Sequence, residues 1–153
     1  MKRRLGLVVL VAVIGTLISA YSLYHHFDTS EGWCNVSATL NCDVVNRGPY
    51  SELAGIPVSL IGVVGYLGIA VVAILARVRV SERRELLMLL RIAAAGALGY
   101  SLYLTYLEAF VLGVYCPLCL GSLTIVVIMC LLLAFPTRDD EARATPLSPP
   151  PVS

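Results

Sequence analysis

Apolar positions fall into four long blocks, separated by segments where polar and charged residues collect. Residues 5–24 carry no charge, and neither do 56–76. Residues 86–112 hold only Arg91 near one end and Glu108 near the other, and 118–135 are again uncharged. A helix needs about 20 residues to cross a hydrocarbon layer roughly 30 Å thick. Each block meets or approaches that length. The pattern therefore predicts an all-α integral membrane protein, a four-transmembrane-helix bundle in one domain over residues 1–135, with a long outward loop (25–55) between helices 1 and 2. Lys2, Arg3 and Arg4 before the first block also suit a cleaved signal peptide, but the apolar run exceeds the roughly 7–15 residues of a signal core.

Finer signals mark the ends of the blocks. Gly55-Ile56-Pro57 reads as a helix start with Pro57 in the first turn. Ser81, followed by Glu82 and Glu85, reads as the N-terminus of the third span. Residues 38–45 are compatible with a helical turn. Gly62, Gly65 and Gly68 recur along the second span at a spacing that permits close helix approach in a membrane. The tail, residues 136–153, has five prolines and mixed charge and is expected to be disordered.

Composition strengthens the membrane reading. Of 153 residues 58% are hydrophobic and 14% charged, with a mean hydropathy of +0.85. A soluble domain of this size lacks the charge to cover so much apolar surface. No basic block interleaved with aromatics is present, which argues against a nucleic-acid partner. The net charge of +1 is uninformative, but its distribution is not. Lys2, Arg3, Arg4, Arg77, Arg79, Arg83, Arg84, Arg91, Arg138 and Arg143 belong to one side, and Arg47 alone to the other. Basic residues concentrate on the cytoplasmic side. The expectation is a multi-pass cell-membrane protein with both termini cytoplasmic and its active site extracytoplasmic.

Five cysteines bring in chemistry. Cys34 and Cys42 lie in the long outward loop, Cys116-Pro-Leu-Cys119 opens the fourth span, and Cys130 is mid-span, where it reads as packing. The four outward cysteines share the face where disulfides persist. A Cys-x-x-Cys at a helix start sits where the helix dipole favours a thiolate. Pro117 suits the first helical position. Thiolate attack on a disulfide sulfur exchanges electrons between such pairs. Cys119, one turn deeper, is expected to meet a lipid-soluble oxidant, and Cys116, nearer water, a mobile thiol. Two structural disulfides in a non-catalytic membrane protein are the alternative. A zinc site is disfavoured because the loop pair is too widely spaced for a knuckle, and no metal is expected.

Three further groups have two readings each. Tyr100, Tyr103 and Tyr106, with Ser101 and Thr105, either edge a pocket or form an interfacial belt. Glu108 is an intramembrane carboxylate and so a functional candidate, relaying protons to the lipid-soluble oxidant or else reaching the headgroups. His25 and His26 suit the interface better than a metal site.

Several segments together resemble the vitamin K epoxide reductase family in its prokaryotic branch. They are Cys34-x7-Cys42-Asp43-Val44-Val45, Pro49-Tyr50-Ser51, Gly55-Ile56-Pro57-Val58-Ser59-Leu60-Ile61-Gly62, Ser101-Leu102-Tyr103-Leu104 and Tyr115-Cys116-Pro117-Leu118-Cys119. The resemblance implies a quinone-dependent thiol–disulfide oxidoreductase that generates disulfides, with a quinone of the ubiquinone or menaquinone type as cofactor. It makes Cys34 and Cys42 the shuttle pair, with Cys34 taking electrons from a thioredoxin-like partner and Cys42 attacking Cys116. Cys119 then passes electrons to the quinone. Many bacterial relatives carry a fused thioredoxin-like domain; here the tail ends at Ser153, so a separate thioredoxin-like protein on the outward side is expected. Alignment suggests Tyr66, Leu104, Leu112 and Leu123 as quinone contacts. The family's polar positions do not carry over, since Gly48, Val58 and Leu123 occupy them. The animal activity, reduction of vitamin K epoxide, is the alternative within enzymes.

Overall fold

The computed structural model describes residues 2–28, 37 and 39–134. In chain order the elements are helix α1 (Lys2–Phe27), the short helix α2 (Cys42–Asn46) and strands β1 (Glu52–Leu53) and β2 (Ile56–Pro57). Helices α3 (Val58–Val78), α4 (Arg83–Leu107) and α5 (Pro117–Ala134) follow. A π-helical turn, Glu108–Leu112, continues α4. Four helices are long and apolar enough to cross a membrane, and the chain is a multi-pass membrane protein. Cys34 and the tail 136–153 lie outside the described residues.

The packing is that of a bundle in lipid. Leu10, Leu17, Val64, Leu67 and Ile92 face outward. Lipid tails are as apolar as leucine, so these residues gain nothing by turning in, and close approach of helices decides the interfaces instead. The interior is accordingly built on Ala12, Ala73, Ala76 and Ala94, with Leu5, Val8, Leu90 and Met129 between them. Helices α1 and α3 come closest. A Cβ at Gly15 would lie 2.6 Å from the Tyr66 ring, and one at Gly62 would lie 2.7 Å from Ser19 Oγ. Gly65 and Gly68 face open space, so of the glycines singled out on this span only Gly62 serves close approach.

Two arginines at one end of the bundle donate to helix-end carbonyls. Arg83 Nε donates to the Ala76 carbonyl at 3.0 Å, and Arg91 Nε to the Leu133 carbonyl at 3.0 Å. Carbonyls in the last turn of a helix lack intrahelical partners and carry the negative end of the dipole, so a cation satisfies both needs. This accounts for Arg91 inside an otherwise apolar block. It also ties the start of α4 to the ends of α3 and α5.

Element boundaries depart from the sequence expectation where proline and turn geometry intervene. Ile56–Pro57 is not the first turn of a helix but a strand paired antiparallel with Glu52–Leu53. Pro57 is the N-cap of α3, with ψ 130°. Ala54 and Gly55, both at positive φ (53° and 82°), form the tight turn between the strands, as a two-residue hairpin requires. Helix α4 starts at Arg83, after a Glu82 cap that makes no side-chain bond, so Ser81 stands outside it. Pro117 is the first residue of α5, its missing N–H costing nothing there.

Candidate active site

A backbone bridge assembles the site. Asn41 N–H donates to the Tyr115 carbonyl at 3.1 Å, and Tyr115 N–H to the Thr39 carbonyl at 2.8 Å. Leu40 and Tyr115 thus form a parallel β-bridge. Each strand of that bridge runs directly into a cysteine. Cys42 and Cys116 consequently pack together in a buried cluster with Val45, Leu118 and Cys119 around them.

Local sequence holds Cys42 in this position. Asn41 caps α2, its side-chain oxygen accepting from the Asp43 and Val44 N–H groups, as a short polar residue before a helix does. The far end of α2 is fastened to α1. Ser22 Oγ donates to Asn46 Oδ1 at 3.1 Å, and the Asn46 amide donates back to the Ser22 carbonyl. His26 Nδ1 donates to the Asn46 carbonyl at 2.6 Å, and its Nε2 lies 3.4 Å from Glu52. His26 therefore fastens the loop to the rim of the bundle. Cys42 is disulfide-bonded, while Cys116, Cys119 and Cys130 are free thiols.

The expected exposure of Cys116 is corrected. Its side chain is 0% exposed because the segment carrying Cys42 lies over it. The Cys119 N–H donates to Cys116 Sγ at 3.3 Å. The hydrogen bond from the Cys119 thiol, aided by this N–H, holds the Cys116 thiol below its ordinary value; burial and the neighbouring Glu108 push the other way. Cys119 sits deeper, on the wall of an interior cavity.

Glu108 completes the cluster. It is 1% exposed, which excludes the headgroup reading. Its Oε2 accepts the Cys116 N–H at 3.0 Å, and its Oε1 has no hydrogen-bond partner among the described residues. A carboxylate oxygen of Glu108 and the sulfurs of Cys116 and Cys119 all lie within 4.8 Å of one another. Zinc accepts such donors but takes four in structural sites, and this group has three among the described residues. The π-turn sets the geometry. One widened turn re-aims side chains relative to a continuous α-helix and recurs at functional sites. Here it begins at Glu108, whose carbonyl accepts from Val114 N–H, and Gly113 at φ 64° closes it.

The cavity occupies about 400 Å³ between the four long helices and beneath α2. Tyr66, Leu104 and Leu112 lie on its wall, with Cys119 and Glu108. Leu123 does not: the row that α5 presents runs Leu118, Cys119, Ser122 and Val126, and Leu123 is turned off it. Tyr66 is 5% exposed, and its hydroxyl meets Ser122 Oγ at 2.7 Å. The tyrosine series divides. Tyr100 lines the cavity, whereas Tyr103 and Tyr106 are exposed toward lipid, because each step of three residues rotates a side chain by about 60°. Sequence reasoning passed over Ser59, which lines the cavity with a buried hydroxyl that has no partner.

Four membrane-crossing helices, a cysteine pair at the start of the last, and a third buried cysteine held against it define a membrane protein organised around thiols. The sequence matches the vitamin K epoxide reductase family over residues 6–134, and the chain belongs to that family. Membership makes it a membrane oxidoreductase.

Proposed function

We propose that the protein is a quinone-dependent thiol–disulfide oxidoreductase that generates disulfides on the outward face. One observation carries this reading. Cys116 packs against Cys42 on one side, while its partner Cys119 opens onto an apolar cavity on the other. A sulfur pair so placed joins the loop cysteines to a lipid-soluble molecule.

The cavity suits a quinone. Its volume of about 400 Å³ falls in the range of small-molecule sites, which combine apolar walls with a few polar groups. The Ser59 hydroxyl is a buried donor on its wall without a partner among the described residues. Buried polar atoms seldom remain unsatisfied, and quinone oxygens accept hydrogen bonds. Ser59, Tyr66, Leu104 and Leu112 would hold the ring. A bound quinone supplies a two-electron acceptor that also takes up two protons.

The chain's own steps follow from thiol–disulfide exchange. Cys34 receives electrons from a thioredoxin-like protein. Cys42 attacks Cys116, the Cys116–Cys119 bond breaks, and a Cys42–Cys116 mixed disulfide forms. Cys34 resolves it by re-forming the bond to Cys42. The electron pair then rests on Cys116 and Cys119, and Cys119 delivers it to the cavity. The basic end of the bundle faces the cytoplasm in this reading, so the cysteines face the oxidising compartment.

The test uses the full chain in lipid nanodiscs with a small dithiol and a short-chain benzoquinone. Dithiol oxidation is expected to depend on the quinone, and Cys119→Ser to abolish it. Cys34→Ser should retain part of the turnover with small dithiols and lose it with a thioredoxin-like donor. Full turnover in Cys119→Ser would overturn the assignment of roles.

A further inference from the structure

We propose that Glu108 is a catalytic acid–base group that takes the proton of the Cys119 thiol and delivers it to the nearer quinone oxygen. This rests on the function proposed above and assigns a residue to a transfer that sulfur chemistry alone leaves open.

Four observations point the same way. The carboxyl group is buried, and it is anchored by one oxygen alone, through the Cys116 N–H. The second oxygen has no hydrogen-bond partner among the described residues. The Cys119 sulfur lies within 4.8 Å of a carboxylate oxygen of Glu108. Both Glu108 and Cys119 lie on the cavity wall, so a proton held between them is at the edge of the quinone site. The π-turn supports a purpose for this placement, since it departs from regular helix at Glu108 itself.

The chemistry requires such a group. A thiolate, not a thiol, is the nucleophile, and a membrane interior offers no bulk water to accept a proton. The titratable side chains on the cavity wall are Cys119 and Glu108, with Tyr50 from the loop, Tyr66 from α3 and Tyr100 from α4; none is cationic. Among the described residues Glu108 is therefore the only carboxyl group on that wall, and it stands beside Cys119.

The step balances. The Cys116 and Cys119 S–H bonds break, one S–S bond forms, and two electrons pass to the quinone. Glu108 accepts the Cys119 proton at Oε1 and gives it to one quinone oxygen, ending as it began. The Cys116 proton follows across its hydrogen bond with Cys119 and through Glu108 as the second proton of the quinol, so the two protons that the thiols lose are the two that the quinone gains.

Two readouts on the full chain in nanodiscs test this. The first needs no quinone: an infrared difference spectrum between the dithiol and disulfide states. Wild type is expected to show a carboxyl carbonyl band that responds to reduction of the Cys116–Cys119 pair, and Glu108→Gln to lose it. The second is dithiol oxidation with a short-chain benzoquinone. General acid–base groups contribute about 10²–10⁴-fold, so Glu108→Gln should slow turnover at least about a hundredfold while thiol titration still finds a reducible pair. If Glu108→Gln fails to fold, Glu108→Asp and Glu108→Ala with and without formate decide: formate-dependent recovery supports the proposal, and its absence overturns it. A folded Glu108→Gln protein within about twofold of wild type would also overturn it, as would a spectrum without the band. A wild type that shows the band but reduces no quinone would instead refute the function proposed above and leave the Glu108–Cys119 transfer standing.

Discussion

At Cys116 two neighbours act in opposite directions on one sulfur. The Cys119 thiol and N–H favour its thiolate, whereas burial and Glu108 oppose it. Removing the favourable thiol should let the opposing influences dominate. In reduced Cys119→Ala the Cys116 midpoint should rise, so at neutral pH a smaller fraction is ionised and alkylation slows. Rates followed peptide by peptide by mass spectrometry across pH measure this, and an unchanged midpoint would refute the hydrogen bond's role. The position of the Cys-x-x-Cys pair was legible because an apolar run opened by proline marks a helix start. The placement of Glu108 was not, since a π-turn leaves no mark in hydrophobic periodicity. Ser59 was hidden too: a lone serine in an apolar run signals nothing until its surroundings are known.

Among the elements, α2 depends on one side chain. Asn41→Ala removes the cap from two N–H groups, a loss of about 1 kcal/mol. Hydrogen exchange of the α2 amides should quicken several-fold, with the long helices unaffected. The α1–α3 contact makes a sharper contrast between glycines. Gly15→Ala drives a Cβ into the Tyr66 ring and should destabilise by about 1–3 kcal/mol, read as a lower unfolding midpoint. Gly68→Ala meets nothing and should be neutral or stabilising, since alanine favours helix by roughly 0.5–1 kcal/mol over glycine. The four spans were legible because twenty apolar residues in lipid have few alternatives to a helix. Gly15 was missed because its reason lies on another helix, in the Tyr66 ring. The β2 strand was missed because proline serves a strand end as readily as a helix start.

At the scale of the whole molecule, antiparallel helices separate two ends of different character, one rich in arginine and one holding Cys42, Cys116 and Glu108. A membrane-impermeant thiol reagent added to intact cells after gentle reduction should label the loop cysteines, and labelling only after lysis would reverse the proposed orientation. The backbone bridge at Leu40 and Tyr115 has a kinetic consequence. Two reactants tethered beside one another meet at an effective concentration set by the tether, commonly millimolar or above. In the proposed mechanism, exchange between Cys42 and Cys116 is thereby unimolecular, and its rate should not change on dilution of the protein. Dilute thiols in the surrounding medium should compete poorly against it, so the bridge would act as insulation on the proposed electron path.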